Sequence, residues 1–272
     1  MASGKVVRIL QCMLGKTLVI FDGMNHLCGF ASFDVEEMVE TAFKDAMDSI
    51  SYLDAGFGTP EARCRVVFVW DPFKRHGALS EKPDKGFRKE VHPAYKANRS
   101  QRKSVIVHAG DNRDVFCRRL DEVGIPSLTQ PGLEADDYIA FIARMICPDE
   151  SIIVSQDADF LHLVSPTTSV LRNQGWLDHN NFEREIGLCP NRHLAWKALA
   201  GDPSDNIPAV RDSARSWAWA AAGASRAALS SEELAAYEKN LSLIRLALWE
   251  RKGAVSTATW RAAKHQFLRK LV

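Results

Sequence analysis

Nine carboxylates stand at positions where their spacing, more than their number, bears on chemistry: Asp22, Asp71, Glu134, Asp136, Asp137, Asp157, Asp159, Asp202 and Asp205. Three crowd the start of "GLEADDYIAFIARM" (132–145), ahead of Tyr138, Ile139, Phe141, Ile142 and Met145 at helical spacing. Acids favour a helix N-terminus through capping and the macrodipole, but one or two would serve that purpose. Asp22 closes the apolar run "TLVIFDG" (17–23), Asp71 closes "RVVFVWD" (65–71), and Asp157 closes "SIIVSQD" (151–157) with Asp159 just beyond. Asp202 and Asp205 lie in "GDPSDNIP". A single Asp after a strand is ordinarily a turn or cap residue; its recurrence after three strong strands is not explained that way.

Two carboxylates about 4 Å apart repel by roughly 4 kcal/mol at an effective dielectric near 20. A converging set of nine therefore requires cations. Oxygen ligands without His or Cys suit Mg²⁺, or Mn²⁺ in its place, rather than zinc. Two such ions in a carboxylate site point to phosphoester hydrolysis, one generating hydroxide and both stabilising the charge of an in-line displacement. A phosphatase with an Asp nucleophile in a D-x-D motif near the N-terminus fits less well, because Gly23 and Met24 follow Asp22. The other D-x-D, Asp157–Asp159, follows the third strong strand.

The elements that must position these acids alternate. Strands are expected at 17–23, 65–71, 125–129, 151–157 and 168–173, and helices at 33–53, 105–123 and 134–147. Strands alternating with helices indicate an α/β fold with a mainly parallel sheet covered on both faces. Such sheets bind ligands outside the carboxyl ends of their strands, which brings the acids to one edge. After about residue 178 the β signal stops and the chain reads as helical.

The whole chain, 272 residues with 46% apolar and 25% charged content and a net charge of +1, is composed like an ordinary soluble globular protein. Cys12, Cys28, Cys64, Cys117, Cys147 and Cys189 are scattered without zinc-like spacing, which indicates a reducing, cytoplasmic setting. Arg8 and Gln11 interrupt the N-terminal apolar stretch, so no signal peptide is expected. No apolar run approaches the roughly 18 residues of a membrane span.

Residues 72–104 carry ten Lys and Arg against three acids, with Phe73, Phe87 and Tyr95 interleaved. Charge runs are commonly solvated surface, yet loops this long tend to be functional. Basic and aromatic side chains just after Asp71 suit single-stranded nucleic acid, phosphates meeting cations and bases stacking.

The motifs "VIFDGMN", "FVWDP", "FRKEVHPAYKANR", "GLEADDYIA", "VSQDADFLHLV" and "GDPSDNIP" occur in the order found in structure-specific 5′ nucleases. That family comprises the flap endonucleases and 5′→3′ exonucleases of bacteriophages and the N-terminal domain of bacterial DNA polymerase I. The chain resembles it over roughly residues 17–215. The resemblance implies a PIN-like nuclease core over 1–178 with a helical arch at about 72–110. It also implies a helical DNA-binding region over 179–272 with a degenerate helix-three-turn-helix.

Carried over by motif, Asp22, Asp71, Glu134 and Asp136 would hold a first metal. Asp137, Asp157, Asp159, Asp202 and Asp205 would serve a second. Lys96 and Arg99 would contact the scissile phosphate, beside Asp71 and Asp157 as the acids most directly catalytic. Arg88, Lys89 and Tyr95 would line the 5′ strand. The implied substrate is DNA with 5′ flaps, nicks or free 5′ ends, and RNA primers, handled by a cytoplasmic monomer in replication or repair. A PIN-domain ribonuclease, or a non-catalytic DNA-binding relative, is the alternative.

One stretch departs from the family. "DNIPAVRDSARSWA" replaces "DNIPGVxGIGxKTA", so Ala209, Asp212 and Ala214 stand where hairpin glycines are usual and Ser216 where a lysine is. Potassium binding there is not expected, and Arg211 and Arg215 are left to contact duplex phosphates through side chains.

Overall fold

The computed structural model describes residues 17–30, 34–56, 65–72, 86–98, 103–146, 150–251 and 254–271. Arg99 and most of the basic segment before residue 86 lie outside these. The elements run β1 (Leu18–Asp22), α1 (Gly23–Cys28), α2 (Val35–Gly56), β2 (Arg65–Val69), α3 (Gly86–Val91), α4 (Lys103–Glu122), β3 (Ser127–Leu128) and α5 (Ala135–Phe141), which continues as a π-turn over Ile142–Ile146. There follow β4 (Ser151–Val154), a 3₁₀ turn at Ala158–Leu163, β5 (Thr168–Arg172) and β6 (Gly175–Leu177). The helices α6 (Phe182–Ile186), α7 (Pro190–Ala200), α8 (Ser213–Ala221), α9 (Ser231–Ile244) and α10 (Thr257–Leu271) complete the chain.

The fold is a mixed α/β arrangement whose sheet has the strand order β3-β2-β1-β4-β5-β6, parallel except for β6. Strand β6, antiparallel to β5, was not expected from the sequence: at three residues it is too short to show alternation. The alternation of a strand's two faces accounts for the layers. Leu18 and Ile20 of β1, Val67 and Val69 of β2 and Ile153 of β4 enter one core with α5 and α10. Val19 and Phe21, Phe68 and Trp70, and Ile152 and Val154 enter the opposite core with α2 and α4. Both faces of β1 are buried, as its unbroken apolar run requires.

The order reverses between β1 and β4, and a crevice opens at such a switch point. Asp22 and the segment carrying Asp157 leave the sheet there. Gly23 follows Asp22 because Trp70 lies against it: a Cβ at residue 23 would come within 2.5 Å of the indole. Helices α7 and α8 form the helix pair expected of the C-terminal region, joined by the "GDPSDNIP" loop. Gly201 starts that loop at φ +74°, where a Cβ would meet the Ile207 carbonyl oxygen at 2.6 Å.

Candidate active site

Asp22 sits at the end of β1, 4% exposed. Its Oδ1 accepts from the Asn25 N–H at 3.2 Å and its Oδ2 from the Ser155 hydroxyl at 3.0 Å. Burial, reinforced by the charges of Asp71 and Asp157, pushes its carboxyl up to about 7. Asp71, exposed beyond β2, accepts from the Ala135 N–H at 2.8 Å and so ties the end of β2 to the start of α5. Asp136, in the first turn of α5, is pushed well above the usual carboxylate range by burial, with Asp157, Asp22 and Asp71 adding repulsion. Asp157 caps the 3₁₀ turn through the Asp159 N–H at 2.8 Å. These four acids come from the ends of β1 and β2, the start of α5 and the segment after β4, and they feel one another's charge.

The remaining acids are paired with cations. Glu134, the N-cap of α5, accepts from Arg88 Nη1 at 2.8 Å and from Lys96 Nζ at 3.1 Å. Lys96 also lies 3.8 Å from Asp205 and 4.9 Å from the Tyr95 ring centroid. Its backbone is left-handed, φ 57°, with its N–H bonded to the Asp205 carbonyl. Such conformations in non-glycine residues concentrate at functional sites. His92 and Asn206 add two further bonds between the post-α3 segment and the "GDPSDNIP" loop. Lys197 of α7 bonds both Asp159 and Asp202. Burial raises Asp159 to about 6 even against that ammonium. Burial would also raise Asp202, but Lys197 and Ser204 outweigh it and hold the carboxyl below its ordinary value.

Asp137 is only 1% exposed, and Arg88, 6% exposed, grips it through two nitrogens at 2.6 and 2.8 Å. Arg88 also donates to the Leu243 carbonyl at 2.8 Å. Burial opposes the charge on Arg88, and Asp137 and Glu134 overcome it. This corrects the expectation that Arg88 and Tyr95 line the path of a strand: both are buried, Arg88 as a clamp joining α3, α5 and α9, and Tyr95 in a small cluster with Ile207, Leu243 and Ile244. Asp137 is correspondingly engaged by an arginine. Lys89 is exposed on α3.

The hairpin also differs from expectation. Arg211 donates to both oxygens of Glu233 at 2.7 and 2.8 Å, and Glu233 closes the capping box of α9. Arg211 is therefore a brace between the hairpin and α9. The amides of Val210 and Arg211 both go to the Leu199 carbonyl. Arg215 is exposed and pairs with Asp212, the N-cap of α8.

Lys197 and Arg113 were missed in the sequence. Arg113 of α4 donates to the Asp71 carbonyl at 2.8 Å with its guanidinium 5.3 Å from the Trp70 ring centroid. Neither lies in a motif, and only their packing reveals them. Among the described residues no three Asp, Glu, His or Cys side chains form a ready-made ion cage.

Residues 64–187 match the family model described as "5′-3′ exonuclease, N-terminal resolvase-like domain". Over that segment the chain is similar to 5′ nucleases. DNA polymerase I of Mycobacterium bovis is 37% identical over 132 residues, 46% of this chain and 14% of that protein. A flap endonuclease, Xni, of Vibrio atlanticus is 32% identical over 131 residues, 47% of this chain and 50% of that protein. The matched region thus spans half or less of either relative's length. The bacteriophage T5 D15 protein, crystallised with metal ions, superposes with a TM-score of 0.71 over 94% of this chain and all of its own, at 18% identity. At that identity the likeness is one of fold, and it takes in the C-terminal helices as well.

Proposed function

We propose that this chain is a metal-dependent, structure-specific 5′ nuclease, a 5′→3′ exonuclease and flap endonuclease that hydrolyses DNA phosphodiesters. The observation that carries the proposal is the meeting of acids from β1, β2, α5, the post-β4 turn and the "GDPSDNIP" loop at the sheet's switch point. The donors are all oxygen, which fits Mg²⁺. Burial and mutual repulsion raise the carboxyls of Asp22 and Asp136, and a divalent cation would relieve that repulsion. Asp22, Asp71, Glu134 and Asp136 would hold one ion. Asp157, Asp159, Asp202 and Asp205 would serve a second, with Asp137 behind them. Such ions supply an activated water and stabilise the charge of the displacement.

The chain's own residues do the rest. Lys96 presents an ammonium at the carboxylate edge, fixed by its strained backbone and by the Tyr95 ring, where a scissile phosphate would replace carboxylate as its partner. Arg99 is proposed to join it, and Lys89 to contact the incoming strand. Asp71, bonded to the Ala135 N–H, and Asp157, bonded to the Asp159 N–H, are oriented acceptors at the reacting edge. The division at residue 178 would separate this chemistry from duplex binding by α7, α8 and the loop between them, with Arg215 as the exposed contact and without potassium. The proposed substrates are 5′ flaps, nicks, free 5′ ends and RNA primers, met by a cytoplasmic monomer during replication or repair.

Incubation with Mg²⁺ and a 5′-labelled flap, an RNA hairpin or a plain duplex tests the reading. Cleavage of the flap near its junction, absent in EDTA, is expected. Cleavage of the RNA hairpin alone would indicate a PIN-type ribonuclease, and DNA binding without cleavage of any substrate a non-catalytic relative.

A further inference from the structure

Lys197 has no part in the sequence motifs, yet its ammonium bridges two acids of the second group. It bonds Asp159 of the turn after β4 and, at 2.9 Å, Asp202 of the "GDPSDNIP" loop. The lysine is well buried, so the two pairs are shielded from bulk water. Asp202 spends its other oxygen on the Ser204 N–H and hydroxyl, at 2.9 and 2.6 Å. The ammonium therefore takes the remaining oxygen of Asp202 and one oxygen of Asp159, both of which a second cation would need. The first group differs: among the described residues no ammonium bonds Asp22, Asp71 or Asp136, and only Glu134 there holds one, that of Lys96 at 3.1 Å. The lysine stem is flexible and its head is a compact point charge, so it can withdraw where a fixed guanidinium fork could not.

We propose that Lys197 is a tethered counter-cation of the second carboxylate group. It keeps the loop docked on the sheet edge without an ion, and a divalent ion must displace it to bind there. Two consequences follow. Ion loading is ordered, the Asp22 group first and the Asp159–Asp202 group second and more weakly. The loop that begins α8's approach stays in register while the second ion exchanges. This inference rests on the metal-dependent reading above and makes Lys197 a positioning residue.

Mn²⁺ binding followed by electron paramagnetic resonance, with unfolding temperature in EDTA, tests the proposal on the full chain. The unaltered protein should show a tighter and a weaker Mn²⁺ site. Lys197→Met should tighten the weaker site at least tenfold, about 1.4 kcal/mol, and lower the unfolding temperature in EDTA, with recovery on adding Mn²⁺. Lys197→Arg should keep the weaker site within about twofold. An unchanged weaker constant in Lys197→Met would overturn the inference and leave the two-ion reading standing. Failure of the unaltered protein to bind Mn²⁺ would overturn both. If Lys197→Met does not fold, lysine-selective NMR of the unaltered chain decides. The Lys197 side-chain resonance, identified by its loss in Lys197→Arg, should shift with the second Mg²⁺ equivalent and not the first. A resonance unmoved by either equivalent would refute displacement.

Discussion

Replacing Asp22 by Asn should make the ion-free protein more stable while removing its activity. The carboxyl is 4% exposed and pushed from 3.8 to about 7 by burial first and then by Asp71 and Asp157. At ~1.36 kcal/mol per pH unit, holding this charge in the fold costs up to about 4 kcal/mol above pH 7. The sign follows from the raised folded value. The favourable contribution of Asp22 is complete below about pH 4 and lost as pH rises through about 7. Asn is nearly isosteric: its oxygen keeps the bond from the Asn25 N–H, and its amide can donate to Ser155 Oγ in place of the bond now received. Urea unfolding in EDTA should therefore show Asp22→Asn more stable than the parent by about 2 kcal/mol or more at pH 8. That gain should shrink by more than half at pH 5, where the parent's carboxyl is already protonated. Saturating Mg²⁺ should reverse the order, because ion binding stabilises the parent by mass action. A variant no more stable at pH 8, or a gain independent of pH, would refute the assignment of Asp22 as a charge held against repulsion for a cation.

Other outcomes are equally specific. Lys96→Ala should slow single-turnover flap cleavage by a factor on the order of 10²–10³, the cost of one lost transition-state charge contact; quench-flow comparison checks it. Arg88→Met should destabilise the fold by about 3–5 kcal/mol by leaving Asp137 buried and unpaired, measured by urea unfolding, whereas a surface DNA contact would alter only binding. Gly201→Ala should lower stability by roughly 1–3 kcal/mol because of its positive φ, and by more if the backbone around Ile207 cannot yield; thermal unfolding reads this out. Arg211→Ala should leave duplex affinity within about twofold, and cleavage in K⁺ and Na⁺ at equal ionic strength should agree within about twofold, far from the tenfold equivalent to 1.4 kcal/mol. Fluorescence anisotropy and rate measurements decide these two.

Much of this was legible in the sequence because it depends on local chemistry. Asp22 ends a strand whose other four residues are all apolar, and a run buried on both faces can only be a central strand of a covered sheet. The alternation of strand and helix, and the acids after successive strands, likewise follow from side-chain type and period. Gly201 and the Asp that follows it announce a tight turn before any packing is known. What required the tertiary structure was the choice of partner for each charge. Arg88 and Arg211 look like phosphate contacts in a basic sequence, but Asp137 and Glu233, far away along the chain, claim them through bidentate bonds. Lys197 looks like an ordinary helix lysine until α7 brings it between Asp159 and Asp202. A charge's type is written locally, whereas its burial and its nearest opposite charge are set by long-range packing. That is why the sequence names the acids of this site and only the fold decides which of them are already neutralised.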